Sequence, residues 1–391
     1  MKVAFANAKF RTSANEGADA HVRQVAANAA AIGHEIFMWP PHVHPAAKPL
    51  PTGRFARLRA LRSMDVIYTR VQHDVAKPMT WTVGPKRALL GNPLFVWEFN
   101  TVPEYGEYRG VTPAQIKAEV ELFRRYGRGC DLAVCVSQHL ADYVKQNLGI
   151  QRTITVPNGS DPDLYTPAAE PVARVRKSED AFNVLWIGSA FTAWHNFGLL
   201  AQAAKIVHSS GNPTNIAFHI IGPGMDQMRD MPPNVHYYGS EKYELLPNWL
   251  AAMDVGLCLY RPGPADYSSP LKVFDYMSSG LAVVATDQPQ TREIFGQLGQ
   301  LDLLMPHDNP QLLADALVAL SRDRARTRRL AEASRRLLIE KYTWRRAIVD
   351  TFREIDALLA ERRGPAGNPS APAQPRSQPA AAARAIETSS S

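Results

Sequence analysis

Val255-Gly256-Leu257-Cys258-Leu259-Tyr260, then Ser268-Ser269-Pro270-Leu271-Lys272-Val273-Phe274-Asp275-Tyr276-Met277-Ser278-Ser279-Gly280, then Ala282-Val283-Val284-Ala285 form an apolar run, a helical pattern and a second apolar run in succession. Neither run alternates with polar residues, so both read as strands buried on two faces. A strand, a helix and another such strand make a parallel βαβ unit, whose helices cover the sheet. The alternation continues outward. Downstream come a run at 301–305 and a helix start at Asn309 with Pro310 in its first position, then helical stretches ending near Arg363. Upstream lie runs at 182–187, 216–221 and 235–238. Beyond a polar break at 168–180 the first half repeats the scheme, with runs at 2–7, 35–40, 65–71, 94–100, 132–137 and 154–157. Between the first two, Val22, Val25, Ala26, Ala29 and Ile32 fall at helical spacing, and Gly33 follows as a C-cap. Two doubly wound α/β domains are predicted, with the cleft between them as the default ligand site.

Composition agrees with a globular chain and excludes several classes. The 391 residues are 45% hydrophobic and 21% charged. Residues 364–391 hold five prolines and a single large aliphatic side chain, Ile386, so they read as a disordered tail. No apolar run approaches the ~20 residues of a membrane helix. The opening Met1-Lys2-Val3-Ala4-Phe5-Ala6-Asn7 is too short and polar for a signal-peptide core, and a cytoplasmic protein is expected. Cys130, Cys135 and Cys258 lack the spacing of a zinc site and read as buried thiols. The net charge of +7 is local: residues 1–321 balance at 29 basic and 29 acidic, whereas 322–363 carry 13 basic against 7 acidic. Arg322, Arg324, Arg326, Arg328 and Arg329 without an aromatic platform suggest a solvated helix face rather than a nucleic-acid site.

The chemistry concentrates at strand ends. Gly188-Ser189 follows one apolar run and Gly222-Pro223-Gly224 the next, where glycine would let a ligand approach the backbone, although a plain tight turn fits Gly222 and Gly224 as well. Neither a dinucleotide Gly-x-Gly-x-x-Gly nor a Gly-Lys-Ser/Thr phosphate loop is present. Ser268-Ser269-Pro270 opens a helix whose first turn offers free N–H groups, and Lys272 adds a full charge there. Asp275, three residues on, could accept from sugar hydroxyls. The plain alternative is a capped helix with a surface lysine.

These residues resemble a known family. The element Ser-Pro-Leu-Lys-x-Phe-Asp-Tyr-Met-x-x-Gly-x-x-Val-Val-Ala at 269–285 is similar to the donor-binding signature of retaining GT-B glycosyltransferases of the group 1 (family 4) type. Val156-Pro157-Asn158-Gly159-Ser160-Asp161 with Tyr165-Thr166-Pro167 resembles its interdomain segment. Gly17, His21 and Gly33-His34-Glu35-Ile36 resemble its first glycine loop, helix and second strand. Val134-Cys135-Val136-Ser137 with Leu140-Ala141, and Tyr342-Thr343-Trp344, resemble its acceptor-side strand and the start of its last helix. The resemblance implies an acceptor-side domain at 1–167, a nucleotide-sugar domain at 168–341 and a helix at 342–363 crossing back to the first domain.

It also implies roles. Lys272, His195 and the helix start at Ser269, Pro270 and Leu271 would hold the departing diphosphate, since the family's Gly-Arg and Lys-Gly positions read Gly188-Ser189 and Trp194-His195-Asn196 here. Asp275 would hold the ribose, Gly17 would admit the diphosphate, and Gly188, Ser189 and Gly222 would line the donor site. Tyr267 and Asp266, at the first position of the family's acid pair, would lie near the sugar. Asn100 or Glu98 in Trp97-Glu98-Phe99-Asn100 would take the place of an orienting histidine. The expected partners are a nucleotide sugar and a hydroxyl acceptor on a glycan, lipid or small natural product, without cofactor or metal. A sugar-nucleotide epimerase of the same fold and a non-catalytic nucleotide-binding relic are the alternatives.

Two further stretches admit two readings each. Asp161-Pro162-Asp163 looks like a metal-binding pair, but its Asn-Gly-Ser-Asp-Pro setting predicts a turn. In Arg54-Phe55-Ala56-Arg57-Leu58-Arg59-Ala60-Leu61-Arg62 the stripe Phe55, Leu58, Leu61 either packs on the first sheet or touches an anionic membrane from the cytoplasmic side.

Overall fold

A computed structural model describes residues 1–6, 17–40, 42–71, 79–175, 180–224 and 229–363; side chains of 17–20 are not described. The predicted tail at 364–391 and part of the polar break lie outside the described residues. The first half runs β1 (Lys2–Ala6), α1 (Gly17–Ala31), β2 (Glu35–Met38), β3 (Lys48–Pro49), α2 (Arg54–Leu61), β4 (Val66–Arg70), α3 (Gly84–Leu89), β5 (Leu94–Phe99), α4 (Pro113–Gly127), β6 (Leu132–Cys135), α5 (Gln138–Tyr143) and β7 (Thr153–Thr155). Its strands pair in parallel in the order β3-β2-β1-β4-β5-β6-β7.

The second half runs β8 (Phe182–Ile187), α6 (Phe197–Ser209), β9 (Ile216–Ile221), β10 (Val235–Tyr237), α7 (Leu246–Ala251), β11 (Val255–Cys258), α8 (Leu271–Ser278), β12 (Ala282–Thr286), α9 (Pro289–Leu298), β13 (Leu304–Met305), α10 (Pro310–Arg322), α11 (Arg324–Lys341) and α12 (Trp344–Arg363). These strands are parallel too, ordered β10-β9-β8-β11-β12-β13. Each sheet reverses direction beside its first strand, the switch point at which α/β folds bind ligands.

Local chemistry sets the element ends. Asn309 Oδ1 accepts from the Leu312 N–H at 2.9 Å and starts α10. Thr112 and Gln115 form a capping box on α4. Gly33 takes φ +93° after α1, a conformation that costs glycine little. Two strands depart from expectation. β3 is too short, and too interrupted by Pro49, to show a period. Leu301–Leu303 forms a 3₁₀ turn, which leaves β13 with only two residues.

The crossing helix is present. Ile348, Phe352, Ile355 and Leu358 of α12 join Val3, Phe5, Val66, Val96 and Val134 in the core of the first sheet. Each such buried side chain contributes on the order of 2 kcal/mol. The chain passes between the domains twice, and the two passages are bound together. The Ser160 N–H donates to the Tyr342 carbonyl and the Trp344 N–H to the Ser160 carbonyl, both at 3.1 Å. A methyl group on Gly159 would lie 2.7 Å from the Tyr342 carbonyl oxygen, so only glycine allows this approach. Part of the basic cluster near α11 serves the fold: Arg324 pairs with Asp254 and lies over Phe182, and Arg326 pairs with Asp302. Among the described residues no helix is long and apolar enough to cross a membrane.

Candidate functional site

A cavity of about 400 Å³ opens between the two sheets, lined by His21, Arg70, Asn100 and Tyr105 on one side, and by Ile187, Trp194, Tyr243, Tyr260, residues 268–272, Asp275 and Tyr276 on the other. Asn158, Tyr165 and Trp344 lie on the passages between them. The start of α8 faces this space. Pro270 at its N-cap supplies no side-chain hydrogen bond, so the first-turn N–H groups keep their capacity for an anion.

Lys272 sits in that turn, its ammonium 5.1 Å from the Tyr260 ring centre and 5.4 Å from that of Trp186. Burial lowers its pKa to about 8. No carboxylate among the described residues pairs with it. His195 stands beside it, with Nε2 3.4 Å from the ammonium and Nδ1 2.9 Å from the Ser189 carbonyl. Since the carbonyl can only accept, Nδ1 carries the proton and Nε2 accepts. Burial and the neighbouring Lys272 charge push His195 down to about 3. The expectation that His195 adds a cation is therefore corrected: it is a neutral ring that positions Lys272.

Asp275 accepts from the Ser160 hydroxyl at 2.6 Å. Burial, aided by the Asp161 charge and opposed by the Ser160 bond, raises its pKa to about 7. It is the sole carboxylate lining the cavity among the described residues.

The opposite wall is organised around Glu98. This side chain is 3% exposed near the carboxyl end of β5 and accepts from the Tyr68 hydroxyl and the Asn100 amide, each at 2.7 Å. His21 Nε2 lies 2.9 Å from it and Arg70 Nε 3.5 Å. Burial would raise its pKa, but the His21 and Arg70 charges and the Asn100 bond outweigh burial and hold Glu98 far below the usual carboxylate range. Glu98 lies behind the cavity wall and orients His21, Arg70 and Asn100, which do reach the cavity. Asn158 completes the network. Its amide donates to the Ser269 carbonyl at 2.7 Å, so its oxygen faces His21 Nδ1 at 3.0 Å.

Other predicted residues fall into distinct places. Ser269, Pro270 and Leu271 line the cavity, although the Ser269 hydroxyl is used by the Asn158 N–H at 3.0 Å. Tyr267 and Asp266 do not line it. Tyr267 stacks on His139 of α5 at 4.2 Å and its carbonyl accepts from Ser137, because its ring finds an apolar seat in the first domain. Asp266 accepts from the Gly263 N–H and the Gln288 amide and ties two loops together. Gly222 is corrected too: a methyl there would lie 1.8 Å from the Gly188 carbonyl oxygen, so it serves backbone packing rather than ligand approach. Ser189 lends its carbonyl to His195. At Gly188 a methyl would lie 2.7 Å from the His195 ring and 3.2 Å from the Lys272 ammonium, which makes this glycine a condition of the pair. Gly17 opens α1, but the loop before it lies outside the described residues. The Asp163 N–H donates to Asp161 Oδ1 at 3.1 Å, a turn of the expected kind.

The reading of the sequence missed Arg70 and Tyr243, and noted His21 only as part of a motif. Arg70 ends β4 at the carboxyl edge of the sheet, where a ligand-facing residue belongs. Tyr243 gave no signal, since its place depends on Arg23 reaching over its ring at 5.1 Å from the other domain.

Comparison with known proteins agrees with this architecture. The model of the family Glycosyltransferase Family 4 matches residues 12–164, and that of Glycosyl transferases group 1 matches residues 181–323. TuaH of Bacillus subtilis (strain 168), named for a glycosyltransferase role in teichuronic acid biosynthesis, is 24% identical over 187 residues, which are 45% of this chain and 44% of TuaH. The chain thus matches less than half the length of that relative. Sucrose-phosphate synthase from Thermosynechococcus elongatus superposes with a TM-score of 0.67 at 16% identity, over 92% of this chain and 99% of the other. Anabaena HepE, solved with UDP-glucose, gives 0.65 at 14% identity over 92% and 99%. Its fold is theirs, the two-domain GT-B architecture, and with one family model matched on each half the chain belongs to the group 1 glycosyltransferases.

Proposed function

We propose that this protein transfers a glycosyl group from a nucleotide sugar to an acceptor hydroxyl, with retention of configuration and without a metal ion. One observation carries the reading: Lys272 is a desolvated cation with no carboxylate partner among the described residues, set in the first turn of a helix that faces the interdomain cavity. A diphosphate is the anion that such a site suits. Charge grows on it as the glycosyl bond breaks, so a fixed cation and aligned N–H groups lower the barrier more than they strengthen ground-state binding. Asp275 would accept from the ribose hydroxyls, exchanging its bond to Ser160. Arg70, His21 and Asn100 would face the sugar and the acceptor.

Retention is what the resemblance to the retaining family implies. Asp275, the sole carboxylate lining the cavity among the described residues, is given to Ser160 or the ribose and Glu98 lies behind the wall, so a retained configuration would require the acceptor to enter on the face that the diphosphate leaves. The HepE complex with UDP-glucose favours a uridine diphosphate sugar, and the teichuronic acid role of TuaH favours a growing polymer as acceptor.

The test has two stages. UDP-, GDP- and TDP-sugars are first screened by thermal shift, since a ligand that binds only the folded state raises the midpoint. The stabilising donor is then incubated with and without candidate acceptors and with EDTA, and the products are analysed by mass spectrometry and NMR. A new α-linked product from an α-linked donor, formed in EDTA, is the expected result. A changed donor sugar in the absence of acceptor would mean an epimerase, and binding without turnover a relic. Loss of activity in EDTA, restored by Mn²⁺, would overturn the metal-free mechanism.

A further inference from the structure

The segment around α2 was open to two readings, and the structure divides it. Leu61 is buried and Leu58 half-covered in a small core with Leu50, Met64, Leu90 and Phe95. Phe55 is 85% exposed. Phe55, Arg59 and Arg62 follow one another at four and three residues, so they share the outer face of the helix. Core packing therefore accounts for two members of the stripe and leaves its aromatic member in water.

The stretches that build that face carry charge of one sign. Residues 42–64 and 79–97 contain seven Lys and Arg and no Asp or Glu. The two stretches are neighbours in space: Leu61 and Met64 share a core with Leu90, and the Arg62 carbonyl lies 3.4 Å from where a methyl on Gly91 would stand. Lys48 pairs with Glu35 and Arg87 with Asp131. Arg54, Arg59, Arg62 and Lys86 are exposed and have no carboxylate partner among the described residues. Arg57 lies over the Trp39 ring at 3.9 Å, and Trp39 stacks with Trp81 at 6.4 Å, both indoles half-buried. Leu89, at the end of α3, is 49% exposed.

An exposed phenylalanine among unpaired arginines, bordered by half-buried indoles, has the chemistry of an interfacial contact. The arginines match anionic headgroups, and the aromatic ring enters the layer beneath them. Position adds a reason. Trp39 directly follows the carboxyl end of β2, the edge of the sheet from which Arg70 and Asn100 face the cavity. We propose that the face formed by α2 and the start of α3 binds an anionic lipid bilayer and holds the mouth of the cavity at its surface. This proposal does not depend on the donor or on turnover.

The test is co-sedimentation of the full chain with vesicles of phosphatidylglycerol and phosphatidylcholine, and with phosphatidylcholine alone. Binding to the anionic vesicles at low salt, its loss at high salt and no binding to the neutral vesicles are expected. Each arginine removed should weaken partitioning roughly 5-fold, so Arg54→Ser/Arg59→Ser/Arg62→Ser should lose on the order of 100-fold. Phe55→Ser should weaken vesicle binding while leaving retention on a polyphosphate resin unchanged. These side chains are exposed, so the unfolding midpoint should stay in place and serve as the folding control. No binding to anionic vesicles at low salt would overturn the proposal. So would vesicle binding that Phe55→Ser leaves intact, which would mark a site for polyanions rather than for a bilayer.

Discussion

Burial draws together two groups whose ordinary pKa values lie far apart: Lys272 falls to about 8 and Asp275 rises to about 7. If the first must be charged and the second ionised to receive a donor, kcat/KM should rise with pH through about 7 and fall through about 8. Lys272→Arg should remove the alkaline limb, and Asp275→Asn the acid limb with most of its loss in KM; a flat profile in the unmodified protein would refute the assignment. Lys272→Ala should lose about 2–4 kcal/mol of transition-state stabilisation, roughly 30- to 1000-fold in kcat/KM, with the fold intact. Glu98→Ala should instead be a stability variant. It strips the buried partner from His21, Arg70 and Tyr68, and a loss of about 3–5 kcal/mol in denaturant unfolding is expected. The sequence reading singled out Lys272 and Asp275, because a cation and an acid three apart at a helix start are visible as letters, and the structure brings both to the cavity. It misjudged His195 and Glu98, because their protonation and access depend on what encloses them.

At the scale of elements, apolar runs located the strands because parallel sheets bury both faces and leave nothing to alternate. β8 and β9 agree with expectation residue for residue, whereas β3 and β13 are too short for any period to show. Tyr267 illustrates the opposite limit: its position in the motif suggested the sugar, but its ring is held by a different domain, and no local pattern reports that. The crossing helix invites a direct test. Phe352 of α12 is 1% exposed in the core of the first domain, far along the chain from the strands that it covers. Phe352→Ala should cost about 3–5 kcal/mol. If α12 merely rested on the surface, its unfolding midpoint would scarcely move.

The molecule as a whole turns on Ser160. Its backbone ties the two passages between the domains, and its side chain holds the acid that lines the cavity. In the proposed mechanism a donor that takes over Asp275 would release that hydroxyl, so occupancy and any closure of the domains would share one residue. Linkage then requires reciprocity: whatever factor the donor contributes to closure, closure returns to donor affinity. Small-angle scattering with and without the donor measures the first quantity and titration calorimetry the second. In Ser160→Ala both should shrink together, since the backbone bridge survives but the message to it is cut. If closure persisted undiminished in that variant, the two events would be independent. On the proposed reading, Ser160 would make the protein a two-part instrument with its sensor mounted on the pivot.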